Sequence, residues 1–321
     1  MIELPGKTNR EDGLEAFANQ VIELGDSIGY KLSARGWCYI MESERLINKD
    51  QFDRIESLIN ECRKNGLLPV DFVAEESARS FANVKRPTES SVENYMWRNL
   101  RAMLNIGNYY EPDWWTDERY YIQMLVEKID LKVIWEDICE TYKIPIATSK
   151  GWSSVLQRAE YARRFKEAEE DGKTCVLLYC GDHDADGLRI SDFIRKNLRE
   201  IKDIEWDDGT GGYDPKNLII DRFGLNYDYI VQNNLTWIDN LITGSGKNLA
   251  DPSHKNFALE YVQNYLKRFG PRKCEANALV TNIAKGQALC QSAIQKYLGK
   301  DAVTRFKNKR IETQNRFEEY V

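Results

Sequence analysis

Asp182, Asp184 and Asp186 stand at alternate positions between an apolar run, Cys175-Val176-Leu177-Leu178-Tyr179-Cys180, and Gly187. Three carboxylates this close repel one another unless a cation neutralises them, and hard oxygen donors suit magnesium, with manganese the alternative. The run reads as a strand buried on both faces, the state of a strand inside a parallel sheet. Chemistry in such sheets gathers at the carboxyl ends of the strands, where Asp182 and Asp184 fall. The pattern also matches the opening of an EF-hand calcium loop. That loop needs Glu at its twelfth position, where Phe193 stands, and it follows a helix, whereas this one follows a strand. A plainer reading makes the aspartates caps of a helix starting near Leu188, but one aspartate would serve for that. A divalent-metal site is therefore the expectation. His183 points to the opposite face by strand alternation and is expected to be structural; His254 is expected in a loop.

Glu127 ends a second apolar run, residues 121–126, and Lys128 follows it. Both runs lie where strands and helices alternate. A helix is expected over 130–142, a short strand at 144–147, and a helix opened by Gly151-Trp152-Ser153-Ser154 and running to about 170. The strand 175–180 and a helix over 188–202 follow. This βαβαβα order predicts a parallel sheet with crossover helices, which would bring Glu127, Asp182 and Asp184 to one sheet edge. Residues 218–221 and 229–231 are expected to extend this domain, and the chain beyond Lys255 is expected to be helical.

Before residue 116 the pattern changes. Leu14, Phe17, Val21, Ile22 and Leu24 recur at helical spacing and stop at Gly25 or Gly29. A second helix covers 33–44. A third carries Phe52, Ile55, Leu58, Ile59 and Cys62, opens after Asn48-Lys49-Asp50 and closes at Asn65-Gly66. Residues 67–73 read as extended. Three short helices and a wing suggest a winged-helix module over 13–115, a pattern shared with helical bundles that touch no DNA. Lys85-Arg86-Pro87 marks a loop, 92–104 a helix and 109–115 an aromatic connector. Residues 1–12 are polar and expected to be disordered or flexible. The fold class is α/β: a helical winged-helix domain, then a parallel-sheet domain over 116–321 whose segment 250–321 is helical.

The 321 residues carry a net charge of −6, which argues mildly against a strong nucleic-acid binder. The average hides an asymmetry: residues 255–310 hold twelve Lys/Arg against three acids. A basic segment beside an acidic body suits a phosphate-backbone partner, or is simply a solvated helical face. No apolar run reaches membrane-spanning length, and the N-terminus lacks a signal-peptide pattern. The seven cysteines show no CxxC or Cys/His spacing, so buried free thiols and a cytoplasmic, reducing compartment are expected. Gly244-Ser245-Gly246-Lys247 fails as a Walker A motif, because Asn248 and Leu241 stand at required Ser/Thr and Gly positions. Gly209-Thr210-Gly211-Gly212 reads as a loop. ATP binding has no support.

A Glu on one strand and Asp-x-Asp on a neighbouring one resemble the metal-binding signature of the Toprim fold. Val126-Glu127-Lys128-Ile129-Asp130, Gly151-Trp152-Ser153-Ser154 and Asp182-His183-Asp184-Ala185-Asp186-Gly187 further resemble the A subunit of type IIB topoisomerases. That superfamily includes the topoisomerase VI A subunit, the meiotic double-strand-break protein and compact stand-alone relatives on plasmids and phages. Ala185 stands where the family has Pro. Upstream, Ser33-Ala34-Arg35-Gly36-Trp37-Cys38-Tyr39 resembles the family's Arg-x-x-x-Tyr motif, with Cys38 where many members have a second Tyr. Residues 49–66 and the stretch from Arg268-Phe269-Gly270 to Ala278-Leu279 also look like the compact members. In all the resemblance covers roughly residues 25–300.

The resemblance implies Tyr39 as nucleophile with Arg35 beside it, and Glu127, Asp182 and Asp184 as magnesium ligands, with Asp186 and Lys128 near the metal. It also implies double-stranded DNA as substrate, a 5′-phosphotyrosine link, and a homodimer in which each tyrosine works with the partner's metal. Strand passage would need a separate ATPase subunit. Arg35, one helical turn before Tyr39, would face the same side and stabilise charge on a phosphate. Two other functions fit the same residues: a hydrolytic Toprim nuclease that ignores Tyr39, and a DNA-binding subunit that does not cut.

Overall fold

The computed structural model describes residues 2–6, 9–74, 91–104, 110–149, 154–242, 246 and 248–318. Its centre is one parallel sheet of β1 (Tyr120–Val126), β2 (Ile146–Thr148), β3 (Thr174–Cys180) and β4 (Ile219–Gly224), in the order β2-β1-β3-β4. β1 and β3 pair in register along their whole length, from Tyr120 opposite Thr174 to Val126 opposite Cys180. Both are buried on both faces, as their apolar runs require.

Period-two alternation divides the side chains between two cores. Ile122, Met124 and Val126 of β1 and Val176, Leu178 and Cys180 of β3 face one core. There they meet Leu131, Ile134 and Trp135 of α5 (Ile129–Thr141). Tyr121, Leu125, Cys175, Leu177 and Tyr179 face the other. Opposite them stand Ala162 and Phe165 of α6 (Val155–Glu170), with Ile194 and Leu198 of α7 (Ile190–Arg199). The strand order explains the two layers. The chain moves outward from β1 through α5 to β2, then returns through α6 to β3. Parallel crossovers are right-handed, so reversing direction along the sheet puts the helix on the opposite face. The reversal leaves a crevice between the carboxyl ends of β1 and β3, the position where open α/β sheets bind ligands.

The helices before the sheet are α1 (Arg10–Ile28), α2 (Ala34–Ser43), α3 (Phe52–Lys64) and α4 (Val92–Leu104). Phe17, Val21, Trp37, Ile40, Ile55 and Ile59 are buried and continue the core that covers the α5 face of the sheet. Each such side chain removed from water contributes about 1.5–3 kcal/mol. After β4 come α8 (Tyr227–Gln232), α9 (Glu260–Phe269), α10 (Ile283–Leu298) and α11 (Ala302–Glu318). Cys290, Ile294 and Leu298 of α10 join the same core.

Several expectations change. Ile2 is buried and its N–H donates to the Leu46 carbonyl at 3.0 Å, so the described residues before α1 pack on the core and do not stand free. Residues 67–73 are a run of turns, with Phe72 stacked on Trp37 at 4.9 Å, and no strand precedes Tyr120 among the described residues. Pro69, which has no N–H to give a ladder, stands in the middle of that stretch. Residues 229–231 lie in α8, whereas 219–224 do extend the sheet as β4. All seven cysteines are free and buried. No described helix is long and apolar enough to cross a membrane. Lys85-Arg86-Pro87, Gly151-Trp152-Ser153 and most of residues 243–247 lie outside the described residues.

Candidate functional site

Glu127 directly follows β1 and Asp182 stands two residues beyond the end of β3, so the register of the two central strands brings them together at the crevice. The Asp182 N–H donates to Glu127 Oε2 at 2.7 Å. Tyr179 Oη lies 3.5 Å from the same oxygen. Gly181 has no room for a side chain: a Cβ would stand 2.2 Å from Tyr179 Oη and 2.7 Å from Glu127 Oε2. Lys128 closes the arrangement. Its ammonium donates to Glu127 Oε1 at 3.2 Å and to Asp182 Oδ2 at 2.9 Å. The other Asp182 oxygen accepts the Ala276 N–H at 2.7 Å.

The electrostatics follow from burial. Asp182 is pushed up to about 6, first by burial and then by the charge of Glu127, with Lys128 pulling the other way. Lys128 is held above its usual range: burial works against the ammonium and is outweighed by Asp182 and Glu127. Two carboxylates already share one cation here, and that donor set fits a divalent ion of the magnesium type. Glu127 and Asp182 are the side chains that would hold it.

Asp184 and Asp186 do not join this pair. Asp184 Oδ1 accepts the Gly187 N–H at 2.6 Å, closing its own turn. Burial raises its pKa, and the bond from Gly187 works against that. Asp186 is exposed and accepts the Tyr261 hydroxyl at 2.9 Å. Among the described residues no three His, Cys, Asp or Glu side chains group closely enough to hold a metal. The alternating aspartates therefore divide their work: Asp182 faces Glu127, Asp184 shapes the turn, and Asp186 ties the loop to α9. His183 is buried between Tyr265, 3.1 Å from its Nδ1, and the rings of Trp237 and Phe269. Burial, then Arg222, lowers it to about 4, so it is a neutral core residue.

Tyr39 stands on α2 at a cleft of about 330 Å³. Lys49, Ile238, Glu275, Asn277 and Ala278 also line it. The tyrosine ring packs edge-on to Phe52 at 5.2 Å. Arg35 is half-exposed, and its guanidinium pairs with Glu56 at 2.9 Å and Asp53 at 3.4 Å. Its pKa is raised: burial opposes the charge, and Glu56 and then Tyr39 outweigh it. The same short segment therefore serves two places, because Glu275 and Ala278 line the tyrosine's cleft while the Ala276 N–H holds Asp182. Lys273 bonds Glu275 at 2.9 Å and keeps its pKa low against the effect of burial.

A second link ties the tyrosine's helix to the sheet. Ser33 caps α2 by accepting the Gly36 N–H at 3.0 Å. The Ser33 N–H and hydroxyl in turn donate to Asp130 at 3.0 and 3.2 Å. A Cβ on Gly36 would stand 2.6 Å from that carboxylate. Asp130 lies two residues beyond Lys128, so α2 is fastened beside the acidic crevice.

Sequence reasoning passed over Arg222. From β4 its guanidinium donates to the carbonyls of Asp182 at 2.8 Å, Gly187 at 3.1 Å and Leu225 at 2.7 Å, clamping the aspartate loop. The signal available was a single arginine inside Leu218-Ile219-Ile220-Asp221-Arg222-Phe223. Ala276 acts through its backbone and leaves no signal in residue type. The basic C-terminal segment is partly spent on ion pairs: Lys296 with Asp221, Arg305 with Glu118 and Asp301, and Lys309 with Asp117. No family model, curated protein or solved structure matches the chain.

Proposed function

We propose that this chain is a magnesium-dependent DNA-cleaving protein of the topoisomerase VI A kind, with Tyr39 as nucleophile. One observation carries the reading: the segment 275–278 lines the cleft of Tyr39 and also hydrogen-bonds Asp182 at the crevice between β1 and β3. A tyrosine beside a cation-holding acidic pair suits phosphoryl transfer, where positioning and charge do most of the work. In the proposed step the Tyr39 oxygen forms a bond to phosphorus as the bond from phosphorus to the 3′ oxygen breaks. The phenolic proton passes to solvent and the departing 3′ oxygen takes one up. Lys49 at the cleft and Arg35 near Tyr39 offer positive charge to the phosphate. The reading includes a homodimer that cuts both strands, with the tyrosine and acidic pair of one chain acting together where the resemblance implied the partner's, and a separate ATPase subunit wherever strands are passed.

Supercoiled plasmid, magnesium and a detergent quench test this. Wild type is expected to leave protein covalently attached to cut ends, and Tyr39→Phe and Glu127→Ala to leave none. Cutting by Tyr39→Phe at the wild-type level would discard the transesterification and favour hydrolysis. The ion pairs of Lys128 with both carboxylates favour a second reading, a DNA-binding subunit that does not cut. Wild-type binding of DNA with no cleavage in magnesium or manganese would select it.

A further inference from the structure

We infer that Arg189, packed against the rings of Phe193 and Tyr261 beside the aspartate loop, is a clamp for a DNA backbone phosphate; this rests on the DNA reading above. Its guanidinium carbon lies 4.3 Å from the Tyr261 ring centre and 5.3 Å from that of Phe193. The two rings come from different elements, Phe193 from α7 and Tyr261 from α9. Tyr261 is itself fixed by its hydroxyl bond to Asp186. The guanidinium therefore packs against rings carried by two different elements.

What it lacks is an acceptor. Some other arginines of this chain spend their guanidinium on carboxylates: Arg10 on Glu61, Arg35 on Glu56, and Arg163 on Glu167 and Asp208. Among the described residues Arg189 has ring contacts and no hydrogen-bond acceptor or carboxylate partner for its guanidinium. A planar fork of donors matches phosphate oxygens two at a time. Stacking removes most of the freedom that an arginine side chain otherwise loses on binding, so the fork is organised in advance. Phe193 and Leu188, 42% and 37% exposed, leave an apolar rim against which a sugar or base can lie. The loop that carries Arg189 also carries Asp182. The clamp thus shares its loop with an acid of the crevice where phosphate chemistry is proposed.

Fluorescence anisotropy of a labelled duplex in EDTA, over a series of salt concentrations, tests the clamp without metal or cleavage. Arg189→Gln is expected to bind roughly tenfold more weakly and to flatten the slope of log K against log salt by about 0.9, one phosphate's share. Arg189→Lys is expected to keep the slope and recover only part of the affinity, because an ammonium keeps the charge and loses the fork. Phe193→Ala, which alters no charge, is expected to weaken binding about threefold at an unchanged slope. Wild-type binding that Arg189→Gln and Phe193→Ala both leave untouched overturns the clamp and leaves the DNA reading standing. Wild type that binds no duplex at any salt removes both.

Discussion

Lys128→Met removes the one cation that Glu127 and Asp182 share. The ammonium sits 2.9–3.2 Å from both carboxylates, and the Lys128, Glu127 and Asp182 side chains are 26%, 29% and 11% exposed. Breaking a buried pair costs about 3–5 kcal/mol, and this partial exposure brings the expectation to about 2–4 kcal/mol near neutral pH. Protonation limits the loss, and its sign can be worked out. Asp182 already lies near 6 in the fold against 3.8 for the free side chain. A raised folded pKa means the fold binds the proton more tightly. The contribution, about 3 kcal/mol at most, is fully present below the unfolded value and is lost as pH rises through about 6. Without Lys128 the window extends upward, so the variant's deficit is larger at about pH 7.5 than at about pH 5. Urea unfolding of wild type and Lys128→Met in EDTA at both pH values measures it. Adding manganese to about a hundred times its Kd should return roughly 2.7 kcal/mol to the variant, because the ion takes the ammonium's place. A deficit that is the same at both pH values and is not recovered by manganese or magnesium would refute the reasoning.

Three further outcomes follow from the same geometry. Asp130→Ala removes the acceptor that Ser33 uses at the start of α2 and is expected to cost about 1–2 kcal/mol in unfolding free energy; a change below a few tenths would mean that α2 needs no such fastening. Arg222→Met strands the carbonyls of Asp182, Gly187 and Leu225, and the expected loss of about 3 kcal/mol or more, read by urea unfolding, should come with faster amide exchange across the aspartate loop. His183 is neutral in the fold with its pKa lowered to about 4, so the stability it contributes is present above about 6.5 and is lost as pH falls toward 4. This opposes Asp182, which gains stability over the lower part of that range, so wild type should show a shallow profile between about pH 4 and 6.5 and His183→Gln a steeper rise toward acid. Identical slopes in thermal-melting profiles of the two proteins would contradict it.

The parallel sheet and the place of Glu127 and Asp182 on it were legible in the sequence. Apolar runs buried on both faces must be strands with helices above and below, and a carboxylate directly after such a run falls at its carboxyl end. Fixed strand alternation likewise placed His183 away from the acidic pair. What the sequence left undecided is how three closely spaced aspartates divide. Their spacing is the same whether they converge or separate. Only the folded loop, clamped by Arg222 and closed by the bond from Gly187 to Asp184, turns one toward Glu127 and the others elsewhere. The tyrosine follows the same rule. Arg35 and Tyr39 are one helical turn apart in any helix, but their distance from Asp182 is a property of long-range packing. Residues 130 and 276, far from α2 in the chain, decide it through a carboxylate and a backbone N–H. Local pattern determined the strands, the sheet edge and the acids upon it; the tertiary structure decided which acid shares a cation, because that depends on contacts between segments 54 residues apart.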